Sequence, residues 1–358
     1  MRILQINTEK SWRGGERQTL LSMQAFRAAG HEAELLARAG SPLFQQASNA
    51  GFTCHGVHRS SAIGPFLARC GKRYDIIHCQ TAGSLTWAVL TKWIYRRPLV
   101  FSRRTTMPVE RRETMTRFKW LHADAIATVS ASAALEPQRL GAHPVVIHSA
   151  VVPPPADDPA IAARLAGFQE EYAAPGRHLI GTAASLTWEK DPETLIRALA
   201  ALKAKRQDFL FLHMGTGGPL QAAVQQLVET LGLGEHYRHI GFLKNVEDIY
   251  PALDLFILTS VQEGLSTAVL DAFLRHVPVV STDAGGQAEG LADGRGMLCP
   301  AGDAQALADA MDFVLDHPAE RTEMCRRAYD YVTTEHSVAT MAQNYLDLYQ
   351  SLLDRRRS

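Results

Sequence analysis

The stretch that decides the fold is LDLFILTSVQEGLSTAVLDAF, residues 253–273. Leu255-Phe256-Ile257-Leu258 is a short apolar run of the kind that forms a buried strand. Polar residues and a glycine follow, and then apolar residues return with helical spacing. The sequence therefore predicts a strand, a loop and a helix in direct succession, which is the repeating unit of a parallel sheet flanked by helices.

Short apolar runs alternate with helix-like stretches over the whole chain. Glu16–Ala29 is typical of a helix that ends at a glycine cap, Gly30, and a last helix is expected from about Val338 to Leu353. This pattern predicts an α/β fold of two Rossmann-like, doubly wound domains facing each other across a cleft. The strand-like runs are residues 2–7, 34–37, 75–78, 98–101, 125–129, 145–147, 178–181, 209–213, 255–258 and 277–280.

A proline-rich segment, residues 151–159, divides the alternating pattern into two halves. Its prolines are unsuited to a helix interior or to a central strand, so we interpret it as the start of a linker. The expected division is an N-terminal domain at 1–150, a linker at 151–177, a C-terminal domain at 178–335 and a helical tail at 336–358.

The zero net charge hides a strong asymmetry. Residues 1–150 hold 20 Lys and Arg against 9 Asp and Glu, a net charge of +11, and the remainder carries −11. The split supports two folding units and favours an anionic partner for the first, such as a membrane surface or a phosphorylated acceptor. A solvated basic face is the alternative; nucleic acid is disfavoured, because no nucleic-acid motif accompanies the arginines of residues 96–119.

Neither a charged leader with a long apolar stretch nor a membrane-span pattern appears in the sequence. The five cysteines are scattered without a CxxC pair, as is typical of thiols in a reducing compartment. These features favour a cytoplasmic location, with peripheral contact at the inner face of the membrane as an extension of it.

Two carboxylates and a glycine-containing turn form a candidate ligand site. If the helix opens near Gly264, the backbone amides of Gly264, Leu265 and Ser266 lie at its positive end, where a diphosphate binds favourably. Glu263 and Asp271 would then bracket roughly 12 Å of helix, at 1.5 Å per residue. That span suits one carboxylate at the sugar and one at the ribose of a nucleotide-sugar. The alternative is an ordinary N-cap acid followed by a surface aspartate.

The same residues resemble the signature of retaining glycosyltransferase family 4, the glycosyl transferases group 1 of GT-B fold. That signature is a Glu, seven residues and a second Glu. Glu263 matches the first position, and Asp271, one methylene shorter, stands at the second. The resemblance implies that Glu263 binds the donor sugar and Asp271 the ribose. It also implies a C-terminal helix that packs back toward the N-terminal domain. Segments similar to those of the family occur in the same order over about residues 1–335.

Lys190 lies between a predicted strand and a helix. The resemblance implies that it grips the donor diphosphate, which gains negative charge as the sugar bond breaks; a solvated surface lysine is the alternative. The family often carries an arginine five residues earlier, where this chain has Ser185. One cation is therefore missing, and Arg103 and Arg104 are the candidates to replace it.

Further donor contacts are implied at two loops. A glycine-rich loop contains Gly215 and Gly217, and the backbone of Phe242 and Leu243 corresponds to the family segment that recognises the base.

In the N-terminal half, Gly14-Gly15 follows the first strand and opens a helix, so backbone can approach a phosphate or a sugar closely. It lacks the GxGxxG spacing of dinucleotide binders, which argues against NAD. The resemblance places this loop near the donor phosphates and the acceptor. His78 ends another strand and is as compatible with a structural hydrogen-bonding role as with a substrate contact.

The resemblance thus implies an enzyme that transfers a sugar from a nucleoside diphosphate donor, with UDP-sugar favoured, to an acceptor hydroxyl with retention of configuration. No cofactor and no metal are expected. A lipopolysaccharide or other lipid-linked glycan of the cell envelope is the expected acceptor class. Two alternatives remain: a nucleotide-sugar 2-epimerase of the same fold and a catalytically inactive, donor-binding homologue.

Overall fold

The computed structural model describes residues 1–155 and 157–356, which divide into two units. The first unit comprises Met1–Ala150 together with the chain from His336 onward, and the second is Val151–Glu335. Ala156 of the expected linker and Arg357 and Ser358 of the expected tail lie outside the described residues.

The first unit is built on a parallel sheet of seven strands in the order β3-β2-β1-β4-β5-β6-β7. Apolar side chains of the central strands alternate between the two faces, so both faces are buried: Ile3 belongs to one core cluster, and Leu4 and Ile6 to the other. The strands are β1 (Arg2–Asn7), β2 (Glu32–Arg38), β3 (Cys54–Val57), β4 (Ile76–Cys79), β5 (Leu99–Arg103), β6 (Ala125–Thr128) and β7 (Val145–Val146).

Helices cover this sheet, joined by short 3-10 turns at Ser60–Ala62 and Gly71–Arg73. The helices are α1 (Gly14–Ala28), α2 (Pro42–Asn49), α3 (Ile63–Cys70), α4 (Ala82–Tyr95), α5 (Glu113–His122) and α6 (Ala131–Arg139).

The second unit has a parallel sheet of six strands in the order β10-β9-β8-β11-β12-β13. Its strands are β8 (His178–Ala183), β9 (Phe209–Met214), β10 (Tyr237–Gly241), β11 (Leu255–Leu258), β12 (Val279–Thr282) and β13 (Met297–Cys299). Its helices are α7 (Pro159–Tyr172), α8 (Pro192–Lys205), α9 (Gln221–Thr230), α10 (Thr267–Leu274), α11 (Gln287–Leu291), α12 (Ala304–Asp316) and α13 (Pro318–Glu335), with 3-10 turns at Trp188–Lys190 and Val246–Ala252.

The last helix, α14 (Val338–Asp354), packs against α1 in the first unit. Its buried side chains repeat with helical spacing and join the core cluster that contains Phe26. The expectation that the C-terminal helix packs back on the N-terminal domain is confirmed. These side chains are Met341, Ala342, Tyr345, Tyr349 and Leu352.

The segment expected to be a linker differs from the prediction, because most of it is helix α7. Asp158 caps the helix by accepting a hydrogen bond from the Ala160 amide at 2.9 Å, and Pro159 occupies the first helical position. Phe168 is buried in the core of the second unit, and Arg164 pairs with Asp248 at 3.1 Å. Asp158-Pro159 is therefore a helix start, whereas the sequence analysis treated the prolines only as helix breakers.

Candidate functional site

The carboxyl ends of the strands in the second unit carry most of the predicted site residues. The strand order reverses between the neighbouring strands β8 and β11: β9 and β10 follow on one side of this pair, and β12 and β13 follow on the other. In open parallel sheets, ligands bind outside the carboxyl ends at such a switch point. The loop after β8 contains Lys190 and the loop after β11 contains Glu263, so both residues flank this point.

Lys190 and Glu263 form an ion pair in which the Lys190 Nζ donates to Glu263 Oε2. Their side chains are 22% and 17% exposed, so the pair is partly shielded and remains reachable from solvent. Ser260 Oγ also donates to Glu263 Oε2 at 3.4 Å. The structure therefore brings together the two residues predicted to bind the donor sugar and its diphosphate, although they are 73 positions apart.

The backbone fixes this pair by joining the two loops. The Thr259 hydroxyl donates to the carbonyl oxygens of Lys190 and Asp191, at 3.0 and 3.1 Å. The Val261 amide donates to the Glu189 carbonyl at 3.0 Å. The lysine and the glutamate are therefore positioned by the ends of two neighbouring strands, which limits their freedom before any ligand binds.

The turn of Gly264, Leu265 and Ser266 is buried and leads directly into α10. Ser266 is the N-cap residue, and within the described structure its side chain makes no hydrogen bond to the first turn. The amides of that turn thus keep donors for an anion at the positive end of the helix. Because α10 begins only at Thr267, Glu263 lies outside the helix, and the expected 12 Å spacing along one helix does not apply.

Asp271, the predicted ribose contact, lies in α10 beside a buried arginine. Its side chain is 4% exposed, and its Oδ1 lies 3.8 Å from Nη1 of Arg275, one turn later on the same helix. Arg275 also lies 3.8 Å from Asp248. The aspartate carboxylate thus lies within a buried charge cluster of the second unit, and its contact with the donor ribose stays a prediction.

The glycine-rich loop after β9 packs closely on the loop after β8. A Cβ atom added at Gly215 would lie 2.0 Å from the Ala184 carbonyl oxygen, and the Gly215 amide donates to Gly241 at 2.8 Å. At Gly217 an added Cβ would lie 2.0 Å from the Gln221 side-chain oxygen. Glycine is thus required for packing at position 215, whatever the loop binds, whereas the flexible Gln221 side chain could move away from a Cβ at position 217.

Two further predicted donor contacts follow β10. Phe242 is 59% exposed beside the glycine-rich loop, and Leu243 is half-buried. Ser185, which stands where a second cation was expected, is within hydrogen-bond distance of the Thr216 hydroxyl at 3.2 Å.

The first unit gathers another group of predicted residues at its own switch point, between β1 and β4. Arg104 donates to the Gln80 side-chain oxygen at 2.8 Å, and its Cδ lies 3.7 Å from where a Cβ of Gly15 would stand. The Arg104 Nε is buried and has no hydrogen-bond partner among the residues that the structure describes. Gly14 and Gly15 form the first turn of α1 beside this guanidinium.

Arg103, the last residue of β5, has different partners from Arg104. It is buried, its guanidinium lies over the Trp120 ring at 4.9 Å, and its Nη2 donates to the Met107 carbonyl. Burial also lowers its pKa. Of the two candidate replacement cations, Arg103 is therefore committed to the fold of the first unit.

His78 is completely buried, which favours the structural alternative over a substrate contact. The Tyr349 hydroxyl and the Gln5 amide lie 2.7 and 3.3 Å from Nδ1, so this nitrogen is the acceptor. Nε2 then carries the proton and donates to Ser102 at 2.8 Å. Burial lowers the pKa of His78 to about 3, so the ring is neutral at pH 7.

This histidine predicts a pH dependence of stability in the first unit. The unfolded chain binds the proton near pH 6.5 and the folded chain only near pH 3, so the free energy of unfolding falls as pH drops below 6.5. We expect a loss of about 2 kcal/mol between pH 6.5 and pH 5. Urea titrations at several pH values, followed by tryptophan fluorescence, measure this free energy of unfolding, since four of the five tryptophans belong to the first unit.

The variant His78→Gln should be less stable at pH 7 but should lose most of this slope, whereas His143→Gln, at an exposed site, should retain it. This comparison also distinguishes the effect of His78 from that of the buried Glu16 carboxyl. The pKa of Glu16 is raised by burial, so its protonation increases the free energy of unfolding as the pH falls. An unchanged slope in His78→Gln would contradict the assignment.

The sequence patterns did not indicate several residues that shape the carboxyl edges of the two sheets. Thr259 and Ser260 were described only as polar residues after a strand, although hydroxyl residues directly after a buried strand were a usable signal. Glu16 is buried and binds the Arg13 amide at 2.9 Å, fixing the start of the Gly14-Gly15 turn. Gln287 is fully buried, and neither of its amide atoms has a partner in the described part of the chain; no sequence signal indicated this.

Comparisons with known proteins agree with this arrangement. The family model of glycosyltransferase family 4 matches residues 12–157, and that of the glycosyl transferases group 1 matches residues 167–331. The putative glycosyltransferase EpsD of Bacillus subtilis is 28% identical over 48% of this chain and 45% of its own length. The chain spans less than half the length of the first curated relatives, at 43–45%.

Two comparisons extend over nearly whole chains. The lipopolysaccharide core biosynthesis mannosyltransferase LpcC of Rhizobium leguminosarum is 25% identical over 83% of this chain and 84% of its own. The crystal structure of Anabaena HepE in complex with UDP superposes with a TM-score of 0.86 at 19% identity, covering 98% of this chain and all of that one. With both halves matched in order and the fold shared, the chain belongs to the family 4 glycosyltransferases of GT-B fold.

Proposed function

We propose that this protein transfers a sugar from a nucleoside diphosphate sugar to an acceptor hydroxyl with retention of configuration. The observation that carries the proposal is the Lys190–Glu263 pair, held at the switch point next to the N-terminus of α10. A cation and a helix N-terminus suit a diphosphate, and the adjacent carboxylate suits sugar hydroxyls.

In this mechanism the acceptor hydroxyl forms a bond to the anomeric carbon from the face of the leaving group, as the bond to the diphosphate oxygen breaks. The departing phosphate oxygen accepts the proton of the hydroxyl. The Lys190 ammonium and the amides at the start of α10 offset the charge that develops on the diphosphate, and Glu263 orients the sugar. The protein thus supplies positioning and charge stabilisation.

Donor binding is assigned to the second unit and acceptor binding to the first. UDP-sugar is the favoured donor, since HepE binds UDP and UDP-glucose. A lipid-linked or lipopolysaccharide glycan is the favoured acceptor, because LpcC acts in lipopolysaccharide core biosynthesis. In the first unit, the Arg104 guanidinium and the Gly14-Gly15 turn offer an anion-binding edge for an acceptor phosphate or sugar. The proposal also includes a cytoplasmic location and sugar transfer without a metal ion.

A thermal-shift screen against UDP, GDP and ADP in the presence of EDTA tests the donor site. A ligand at 100 times its Kd stabilises the folded protein by about 2.7 kcal/mol, which corresponds to roughly 5–10 °C in Tm. We expect this shift with one nucleoside diphosphate, and with UDP first.

The matched controls are two lysines of the same unit. Lys190→Ala should lose the shift, and Lys203→Ala, whose side chain bonds the Gly232 carbonyl away from the site, should keep it. No shift with any nucleotide would favour an inactive homologue. Conversion of the donor into its epimer without an acceptor would favour the epimerase.

A further inference from the structure

Helices α4 and α5 of the first unit expose an unusual amount of apolar surface. The protein has fifteen exposed large apolar or aromatic side chains among its described residues, and six of them lie between positions 90 and 121. Trp93 is 73% exposed, and a tryptophan rarely faces water to that extent without a partner. The other five are Leu90, Met107, Met115, Phe118 and Leu121.

These side chains share one continuous surface. On α4, Thr86, Leu90 and Trp93 follow the i, i+4, i+7 spacing of a single helix face. On α5, Met115 and Phe118 follow the i, i+3 spacing of another. Side-chain hydrogen bonds join the two helices.

Lys119 of α5 donates to the Thr86 hydroxyl at 3.3 Å, and Lys92 of α4 donates to the His122 carbonyl at 2.8 Å. The apolar faces of α4 and α5 are therefore neighbours. We call this surface, formed by the exposed residues of α4, α5 and the segment before α5, the α4–α5 face.

Basic side chains surround the apolar residues. Four of the arginines in this stretch are exposed, namely Arg96, Arg111, Arg112 and Arg117, whereas Lys92 is paired with Asp124 at 2.7 Å. Of the two glutamates between residues 90 and 123, Glu113 pairs with Arg139 at 3.0 Å. Arg111 and Arg112 are exposed directly before α5, and Arg96 donates to the Trp93 carbonyl at 3.1 Å. Exposed aromatic side chains on the same two helices as exposed arginines suit a partner surface that is anionic at its edge and apolar beneath it.

We propose that the α4–α5 face is a membrane-docking surface for a bilayer rich in anionic lipid headgroups. Trp93, Phe118 and Leu90 enter the boundary between headgroups and acyl chains, and the arginines pair with lipid phosphates. Within the described residues no helix is long and apolar enough to cross a bilayer, so this contact is peripheral. The inference rests on the proposed function, because a protein docked on the bilayer would encounter a lipid-linked acceptor there. Vesicle binding itself needs neither donor nor acceptor.

Co-flotation with vesicles tests the proposal on the full chain. We expect binding to phosphatidylglycerol-containing vesicles at 0.1 M salt, weak binding to pure phosphatidylcholine, and release at 1 M salt, where the Debye length falls to about 3 Å. The double variant Trp93→Ser with Phe118→Ser should lower vesicle affinity at least about tenfold. Arg111→Glu with Arg112→Glu should lower it by a similar factor, because each basic residue near the surface contributes to attraction.

Matched controls come from exposed residues outside the face. Leu135→Ser and the pair Arg197→Glu with Arg326→Glu should bind vesicles like the wild type. All variants should keep the nucleotide-induced thermal shift, so failure of docking and failure of the donor site are distinguishable.

Three results would overturn the proposal. The first is equal weakening by the control variants, and the second is no vesicle binding by the wild type at low salt. The third is a dimer in sedimentation that dissociates in the Trp93→Ser, Phe118→Ser variant, which would assign the face to a second copy of the chain.

Discussion

Replacing Lys190 by alanine is expected to lower kcat/KM for the nucleotide-sugar about 10²- to 10³-fold. The Lys190 Nζ is a side-chain cation at the carboxyl edge of β8, partly shielded and already held against Glu263. Removing one preordered charge or donor from a developing oxyanion commonly costs a factor of this size. Release of nucleoside diphosphate from the donor measures the effect, and Lys203→Ala is the matched control.

The Lys190–Glu263 ion pair leads to a second prediction, which distinguishes binding of the diphosphate by Lys190 from a purely structural role of the pair. In the free protein Glu263 neutralises Lys190, so a diphosphate must compete with that carboxylate. Glu263→Gln should therefore bind a nucleoside diphosphate roughly two- to fivefold more tightly, as expected for the loss of a partly exposed pair. It should nevertheless turn over the sugar donor poorly. Full activity of Lys190→Ala with unchanged folding would remove both residues from the site.

The sequence predicted the central strands of both sheets but not three others. β1 and β11 were located to the residue, because they are buried and rich in apolar side chains: β11 is a continuous apolar run, and β1 carries Ile3, Leu4 and Ile6. The strands β3, β10 and β13 were missed, and each lies at an edge of its sheet. An edge strand in a parallel sheet has one neighbour and is partly exposed, so its sequence need not be apolar. Arg238 and His239 in β10 illustrate this.

The candidate site was predictable where a motif sits directly on a strand end. Lys190 and Glu263 follow β8 and β11, and the parallel pairing of those strands brings the two loops together. Asp271 was not predictable in the same way, because its environment depends on Arg275 and Asp248, which the motif does not include. His78 depends on Tyr349, 271 positions later, and no local pattern carries such a contact.

Replacing Tyr349 by alanine is expected to destabilise the first unit by about 4 kcal/mol. The side chain is fully buried in α14, packs edge-on against Phe26 with ring centroids 5.6 Å apart, and donates to the acceptor nitrogen of His78. Truncating a buried aromatic residue typically costs 3–5 kcal/mol because a cavity remains. Urea titration by tryptophan fluorescence reports this unit selectively, since Trp188 is the single tryptophan of the second.

Two further variants divide this loss between packing and hydrogen bonding. Tyr349→Phe keeps the ring and leaves His78 without the hydroxyl, so it should cost about 1–3 kcal/mol. Tyr329→Ala, at a half-exposed tyrosine of α13 in the second unit, should leave the fluorescence transition unchanged. If Tyr349→Ala were as stable as Tyr329→Ala, α14 would not be an integral part of the first unit's core. The expected result instead makes the C-terminal helix a structural element of the N-terminal sheet, because its two tyrosine hydroxyls satisfy His78 and Ser102 there.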